Sequence, residues 1–162
     1  MVPSPTDTGS MSIEQVLELV RSFEGVLVLA PQAGSEVPEI AWGDYFFYYA
    51  PDGRVPQHVQ PYATIITKDY PDDAQSRLNP ADRWRLNIHV GPAKLIELVG
   101  IGPHDLAAAD EFLPHPVYGA HGWVAVVNPG ERTMPAVRNL LRDAHADERR
   151  RVIRRQGGRQ SN

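Results

Sequence analysis

The sequence predicts an α+β domain in which one mostly antiparallel β-sheet is packed by an N-terminal and a C-terminal helix. Three observations predict it. Ser12–Phe23 and Met134–Ala146 carry apolar residues at helical spacing, while the apolar runs between them alternate or are short and continuous. Most of the 15 prolines and 13 glycines fall between those runs, which favours short strands and real loops over a helix bundle. Pro51-Asp52-Gly53, a strong turn signal, follows an aromatic run and turns the chain back as a hairpin.

Taken in order, Met1–Met11 is polar and Pro-rich and reads as a disordered lead-in, with Met11 an alternative start. Ser12 opens a helix, with Gln15 completing a capping box. Ile13, Val16, Leu17, Val20 and Phe23 form its apolar face, and Gly25 ends it as a left-handed cap. Val26–Ala30 is a short buried strand, and Ile40–Ala50 a longer aromatic one. A strand over Tyr62–Lys68 and the polar loop Asp69–Asp82 follow. Trp84–Val90 alternates, with Leu86 and Ile88 on one face and Arg85, Asn87 and His89 on the other. Gly91-Pro92 starts a short helix through Leu98, and a second helical turn follows Pro103. Trp123–Asn128 is the last strand. Asn128-Pro129-Gly130 turns it, and Thr133 caps the helix from Met134 through Ala146.

The domain therefore spans residues 12–148, between the lead-in and a basic flexible tail over 149–162. That tail carries six arginines from Arg149 to Gln160. It reads either as a solvated helix end, where cations suit the helix dipole, or as an arm for nucleic acid or an anionic surface.

Composition narrows the function classes. A chain of 162 residues with 42% hydrophobic and 22% charged residues suits one globular domain. A net charge of −4 makes nucleic acid an unlikely partner. The absence of cysteine excludes disulfides, thiolate catalysis and cysteine–zinc sites. No apolar run reaches the length of a membrane span and no signal pattern opens the chain, so a cytoplasmic protein without membrane contact is expected. No phosphate loop, nucleophile elbow around Ser22, Ser35 or Ser76, or dinucleotide fingerprint occurs.

The order of these elements, with Trp42-Gly43-Asp44 before the aromatic strand and Gly122-Trp123 feeding the last strand, resembles the MmcQ/YjbR-like α+β fold. PEIAWGDYFFYYAPDG, ATIITKDYP and LPHPVYGAHGWVAVVNPGERT together resemble an uncharacterised family of high-G+C soil bacteria, over Ser12 to Asp147. The wider group often carries a lysine before its tryptophan strand, where Ala120-His121-Gly122 stands here. The resemblance implies no settled activity. The fold's name, taken partly from antibiotic biosynthetic clusters, implies specialised metabolites as ligands.

The residues with chemistry gather at the lip of the last strand. His115 and His121 flank Tyr118, and a histidine at a sheet end acts as acid or base near neutral pH. His115 is the expected acid/base, titrating at roughly 6 to 7, with Tyr118 a positioning hydroxyl and His121 within reach of the same sheet end. Asn87, His89 and Trp123 supply further contacts. A bland alternative has each histidine bonded to a carbonyl or facing water. A metal held by His89, His115 and His121 is a lesser alternative, without a close HxH or HxxxH pair, so neither metal nor cofactor is expected. In the aromatic strand Tyr45, Phe47 and Tyr49 share one face and Phe46 and Tyr48 the other. Either the sheet is covered on both sides or one aromatic face lines a cavity. Trp42 and Asp44, with Glu39, border that strand. Asp44 serves either its turn or a ligand, and Lys68-Asp69 marks a strand exit. The expected function is small-molecule binding in an aromatic/histidine pocket, with cofactor-independent acid–base chemistry (a cyclase, isomerase or hydrolase) as an extension. The alternative is a drug-sequestering protein or a partner-binding module using the arginine tail. A homodimer is compatible with either.

Overall fold

The computed structural model describes residues 11–160, with side chains through Gly157. The elements run α1 (Ile13–Arg21), β1 (Val26–Leu29), β2 (Tyr45–Tyr49), β3 (Ala63–Ile66), β4 (Arg85–His89), α2 (Pro92–Val99), β5 (Leu113–Pro114), β6 (Trp123–Val127) and α3 (Met134–Gln160). The strands form one sheet in the order β1-β2-β3-β4-β6-β5, and every neighbouring pair is antiparallel. This is the expected α+β architecture.

The capping box of α1 is present: Gln15 N donates to Ser12 Oγ at 3.1 Å and Ser12 N to Gln15 Oε1 at 2.8 Å. Two of the four orphan N–H groups of the helix start are thereby satisfied. The C-cap is Ser22 rather than Gly25. Gly25 is needed for a different reason. Its φ is +74°, and a Cβ there would sit 2.5 Å from the Tyr49 ring.

Several boundaries differ from the sequence expectation. Met11 is no lead-in residue: it is buried, and its N–H donates to the Pro129 carbonyl at 2.8 Å. The remaining lead-in, 1–10, lies outside the described residues. The aromatic strand begins at Tyr45 because Glu39–Ala41 is a 3-10 turn and Gly43 takes φ +87°. Beyond Pro103 the chain makes only a turn at 106–107, not a helix. The largest difference is α3, which continues to Gln160 where a flexible tail from Arg149 was expected. Its arginines find carboxylates on the same helix, Arg150 with Asp147 and Arg151 and Arg155 with Glu148, and cations suit a helix C-terminus. The Thr133 hydroxyl, expected to cap α3, instead donates to Asp110. The Asp110 carboxylate accepts from the N–H groups of Gly130, Arg132 and Thr133 and from Thr133 Oγ1. Burial disfavours its charge, but these four bonds override that and hold the carboxyl below its usual range.

Register assigns the faces, because residues opposed across a ladder project to the same side. Phe47, Ala63, Ile65, Leu86, Ile88, Val124 and Val126 lie on one face. They are buried with Val16, Leu17 and Val20 of α1 and Val137, Leu140, Leu141 and Ala144 of α3. Leu95 of α2 joins the same core. All three helices thus serve one side of the sheet. The opposite side carries Phe46, Thr64, Ile66, Arg85, Asn87, Val127 and Trp123. It is roofed in part by the 69–82 loop, where Leu78 packs on Ile66 and Val127. What that loop leaves uncovered is a cavity.

Candidate functional site

The cavity is about 280 Å³. Phe46, Ile66, Val117 and Trp123 supply apolar wall, while Thr64, Tyr70, Asp73, Arg85, Asn87 and His115 supply the polar groups. An apolar enclosure with a few convergent polar groups is the usual form of a small-molecule site.

Arg85 organises the floor. It projects from the middle of the sheet and is 1% exposed. Nη1 and Nη2 donate to Asp73 Oδ1 and Oδ2 at 2.9 and 2.5 Å, a bidentate pair that neutralises the guanidinium. Nη1 also donates to Ser76 Oγ at 2.9 Å, and Nε to Asn87 Oδ1 at 2.8 Å. Asn87 in turn donates through Nδ2 to Thr64 Oγ1 at 2.9 Å. Burial disfavours ionisation of Asp73, but the hydrogen bonds and charge of Arg85 outweigh it and hold the carboxyl below its usual range.

His115 extends the β5 ladder, with its N–H donating to the Trp123 carbonyl at 3.0 Å, so its ring projects to the same side as Trp123. The chain then turns sharply, and the N–H groups of Val117 and Tyr118 both donate to His115 Nδ1 at 3.0 Å. That network assigns the tautomer: Nδ1 is an acceptor, so the proton sits on Nε2. Nε2 faces Arg85 Nη2, another donor, at 3.2 Å. The nearest carboxylate oxygen, Asp73 Oδ2, is 3.7 Å away, beyond hydrogen-bond reach. The imidazole is held neutral, its pKa lowered to about 4 by burial first and then by the Arg85 charge, with Asp73 opposing. An ordinary titration at 6 to 7 was expected, and this environment removes it.

A second carboxylate sits behind the cavity wall. Asp44 is fully buried and accepts from Thr67 N, Thr67 Oγ1 and Tyr70 Oη at 2.8, 2.6 and 2.6 Å, with Lys68 Nζ at 2.9 Å. Lys68 also donates to the carbonyls of Ile40 and Trp42. Asp44 therefore holds a buried junction and orients Tyr70, which lines the cavity. Burial first, and then the Asp44 hydrogen bond, push the Tyr70 hydroxyl above its usual range and keep it protonated.

The model of a family of unknown function, DUF6194, matches residues 11–157. The chain belongs to that family. No curated protein matches the chain, and no solved structure does. The DUF6194 match opens at the buried Met11 and takes in the arginine-bearing end of α3 through Gly157.

Of the expected site residues of this DUF6194 protein, the cavity brings together His115, Tyr118, Asn87 and Trp123. Tyr118 stands half exposed at the rim, its ring 5.0 Å from that of His115. Phe47 and Tyr49 belong to the helix face. Tyr49 packs edge-on against His145, and Tyr45 lies partly buried against the same core. Phe46, on the other face of that strand, is the ring that reaches the cavity. Trp42 ties its own loop, donating from Nε1 to the Val37 carbonyl. His121 is exposed and lines neither cavity. His89 packs edge-on to Trp123 at 5.5 Å and lines a separate cavity, so the three histidines do not converge. Sequence reasoning missed Arg85, Asp73, Tyr70, Thr64 and Phe46 as site residues. The signal for Arg85 was present, since it shares a strand face with Asn87. The pairing with Asp73 had no signal, because a loop brings it there.

Proposed function

We propose that this protein binds a small organic molecule in the cavity on the open face of its sheet. The ligand's apolar body lies against Phe46, Ile66, Val117 and Trp123, and an acceptor oxygen sits over His115. The observation that carries this reading is the His115 ring, which lines the cavity with its Nδ1 taken by two backbone N–H groups and its Nε2 facing Arg85 Nη2. The Nε2 proton that this tautomer assigns has no acceptor within reach. A ligand carbonyl, ether or hydroxyl oxygen would complete it. An unmatched donor in a buried site costs free energy until such a partner arrives.

The same geometry supports binding over base catalysis. A general base needs a free lone pair, and the nitrogen lone pair of His115 already takes two backbone N–H groups. Asp73 and Asp44 are likewise committed to Arg85, and to Thr67, Lys68 and Tyr70. A neutral histidine in this setting is a hydrogen-bond donor, able to orient or polarise a carbonyl. The resemblance read from the sequence makes a specialised metabolite the ligand class to examine first.

The test compares 2-acetylnaphthalene with 2-ethylnaphthalene, which lacks the carbonyl, by calorimetric titration. The ketone should bind about fivefold more tightly, the worth of one hydrogen bond of ~1 kcal/mol. His115→Gln, which keeps a donor, should preserve that preference and His115→Phe should abolish it. Failure of both naphthalenes to bind overturns the reading, and equal affinity removes His115 from it.

A further inference from the structure

We propose that a second cavity, walled by the arginines of α3, holds an anionic group on the same ligand, which makes the ligand an elongated organic anion. This rests on the cavity-binding reading above. The second cavity is about 240 Å³, and Gln60, Pro61 and Trp123 wall both it and the first. The two cavities are therefore neighbours across these three residues, and a molecule lying over Phe46 and Trp123 has the second cavity beside it. His58, His89, Glu148, Arg151 and Arg155 line that end.

The charge there is out of balance in a way that the neighbouring charges are not. Arg149 pairs with Glu24 and Arg150 with Asp147, one cation to one carboxylate. Arg151 and Arg155 share the single carboxylate of Glu148, each at 3.2 Å. Positions 148, 151 and 155 are spaced to lie on one helix face, so both guanidiniums address the same space. Glu148's side chain is 9% exposed, whereas those of Arg151 and Arg155 are 42% and 49% exposed. The carboxylate is thus enclosed, and the cations retain open N–H groups. A guanidinium has five N–H donors in a fork that matches carboxylate, sulfonate or phosphate oxygens. His89 beside them is held toward its neutral form, first by burial and then by the Arg151 charge, so it leaves the anion to the arginines. The ligand class that follows has a carboxylate, sulfonate or phosphate at the α3 end. An apolar, ring-sized body follows past Trp123, with an acceptor oxygen at His115.

Two probes separate this proposal from the reading it rests on. 8-Anilinonaphthalene-1-sulfonate carries the anion on an aromatic body, and N-phenyl-1-naphthylamine has the same body without charge. Both are titrated into the full-length protein, with 1:1 stoichiometry checked by calorimetry. Arg151→Gln/Arg155→Gln should weaken the sulfonate probe at least about tenfold, the scale of a charge-assisted hydrogen bond, and leave the neutral probe within about twofold. Glu148→Gln should tighten the sulfonate probe by about threefold or more, because it frees both guanidiniums, again with no effect on the neutral one. A merely structural role for the three side chains would move both probes together, which overturns the proposal. Neutral-probe binding without sulfonate binding, or sulfonate binding indifferent to both variants, removes the anion subsite and leaves the cavity reading standing. Sulfonate binding without the neutral probe shows the arginines acting alone and overturns the single shared ligand. Binding of neither probe overturns the cavity reading and this inference with it.

Discussion

On the helix face of the sheet, Leu86 and Ile88 are fully buried among apolar neighbours. The polar ring buried there, His145, has both nitrogens occupied. Nε2 donates to the Glu24 carbonyl at 2.7 Å and Nδ1 accepts from Tyr62 Oη at 3.0 Å, while the rings of Phe23, Tyr49 and Tyr62 surround it. On the open face, Arg85 and Asn87 come from the same strand and are buried as deeply, at 1% and 2% exposure. Their network closes on Asp73, Ser76 and Thr64 but ends at His115 with a donor to spare. The two faces do not differ in how much they bury. They differ in whether the polar groups they bury are completed from within the chain. A fully completed histidine is a structural one, and an incomplete one on a cavity wall marks the place where a ligand adds stability.

The largest expected effect breaks the open face at its ion pair. Asp73→Ala leaves a guanidinium buried without its carboxylate and should cost about 3–5 kcal/mol in urea unfolding. Leu86→Ala, one residue along and on the other face, removes packing alone and should cost about 3 kcal/mol, within the range for buried leucines. The contrast sharpens with Arg85→Met/Asp73→Leu, which removes both charges. That double variant should recover most of the Asp73→Ala loss and bind neither naphthalene ketone nor its hydrocarbon twin in the original pose. If Asp73→Ala costs less than about 1 kcal/mol, the cluster is solvated and the open face is not a built site.

A pH series probes the histidines of both faces at once. Burial holds the folded-state pKa of His115 at about 4 and lowers that of His145. The unfolded chain therefore binds protons first, and stability falls as pH drops below roughly 6.5, at up to about 1.4 kcal/mol per pH unit for each ring. For His115 this window closes near pH 4. Asp73 and Asp110 act in the opposite sense. Their depressed carboxyls contribute stability above about pH 4, which is lost only as pH falls through their folded pKa values. Unfolding free energies at pH 7 and 5 should thus differ in the wild type through the histidines. His115→Gln/His145→Gln should shrink that slope, leaving the share of His89, whose pKa burial and Arg151 also lower, without touching the loss below pH 4. A ligand on the open face that accepts from His115 Nε2–H should protect the His115 contribution alone, because the His145 ring projects from α3 onto the other face of the sheet.

These contrasts also explain how far the sequence could be read. The helix face was legible in α1, β4, β6 and α3, since their apolar spacing is local information. The open face was legible only as a pattern. Alternation in β4 put Arg85, Asn87 and His89 together, and the run from His115 to His121 pointed to a polar sheet end. What turned that polar face inward is the 69–82 loop, which carries Asp73 and Ser76 to Arg85 and Leu78 onto Ile66. Loop closure of that kind leaves no periodic signal. The same is true of Asp110, whose carboxylate satisfies a helix start more than twenty residues away. His145 was invisible for another reason: a histidine inside an apolar helical stripe gives no sign that two distant partners, Tyr62 and Glu24, await it. In the aromatic strand Tyr45, Phe47 and Tyr49 were expected to meet the ligand, but α1 and α3 dock on the side of Phe47, and Phe46 lines the cavity instead.

The smallest effect tests whether the rim belongs to the fold or to the ligand. Tyr118 is 47% exposed, so about half of it remains open to a ligand at the rim. Its backbone N–H is structural, since it holds His115 Nδ1, but no hydrogen bond to its hydroxyl occurs among the described residues. Tyr118→Phe retains the backbone and the ring that packs on His115, and removes the hydroxyl alone. Stability should stay within about 0.5 kcal/mol of wild type, the ordinary range for a surface change. The ketone preference set by His115 should persist, while affinity for ligands bearing a second polar group at the cavity mouth should fall by a few-fold. A stability loss above about 1 kcal/mol would mean the hydroxyl completes the open face from within. The rim would then belong with the helix face, as structure rather than as a contact awaiting its ligand.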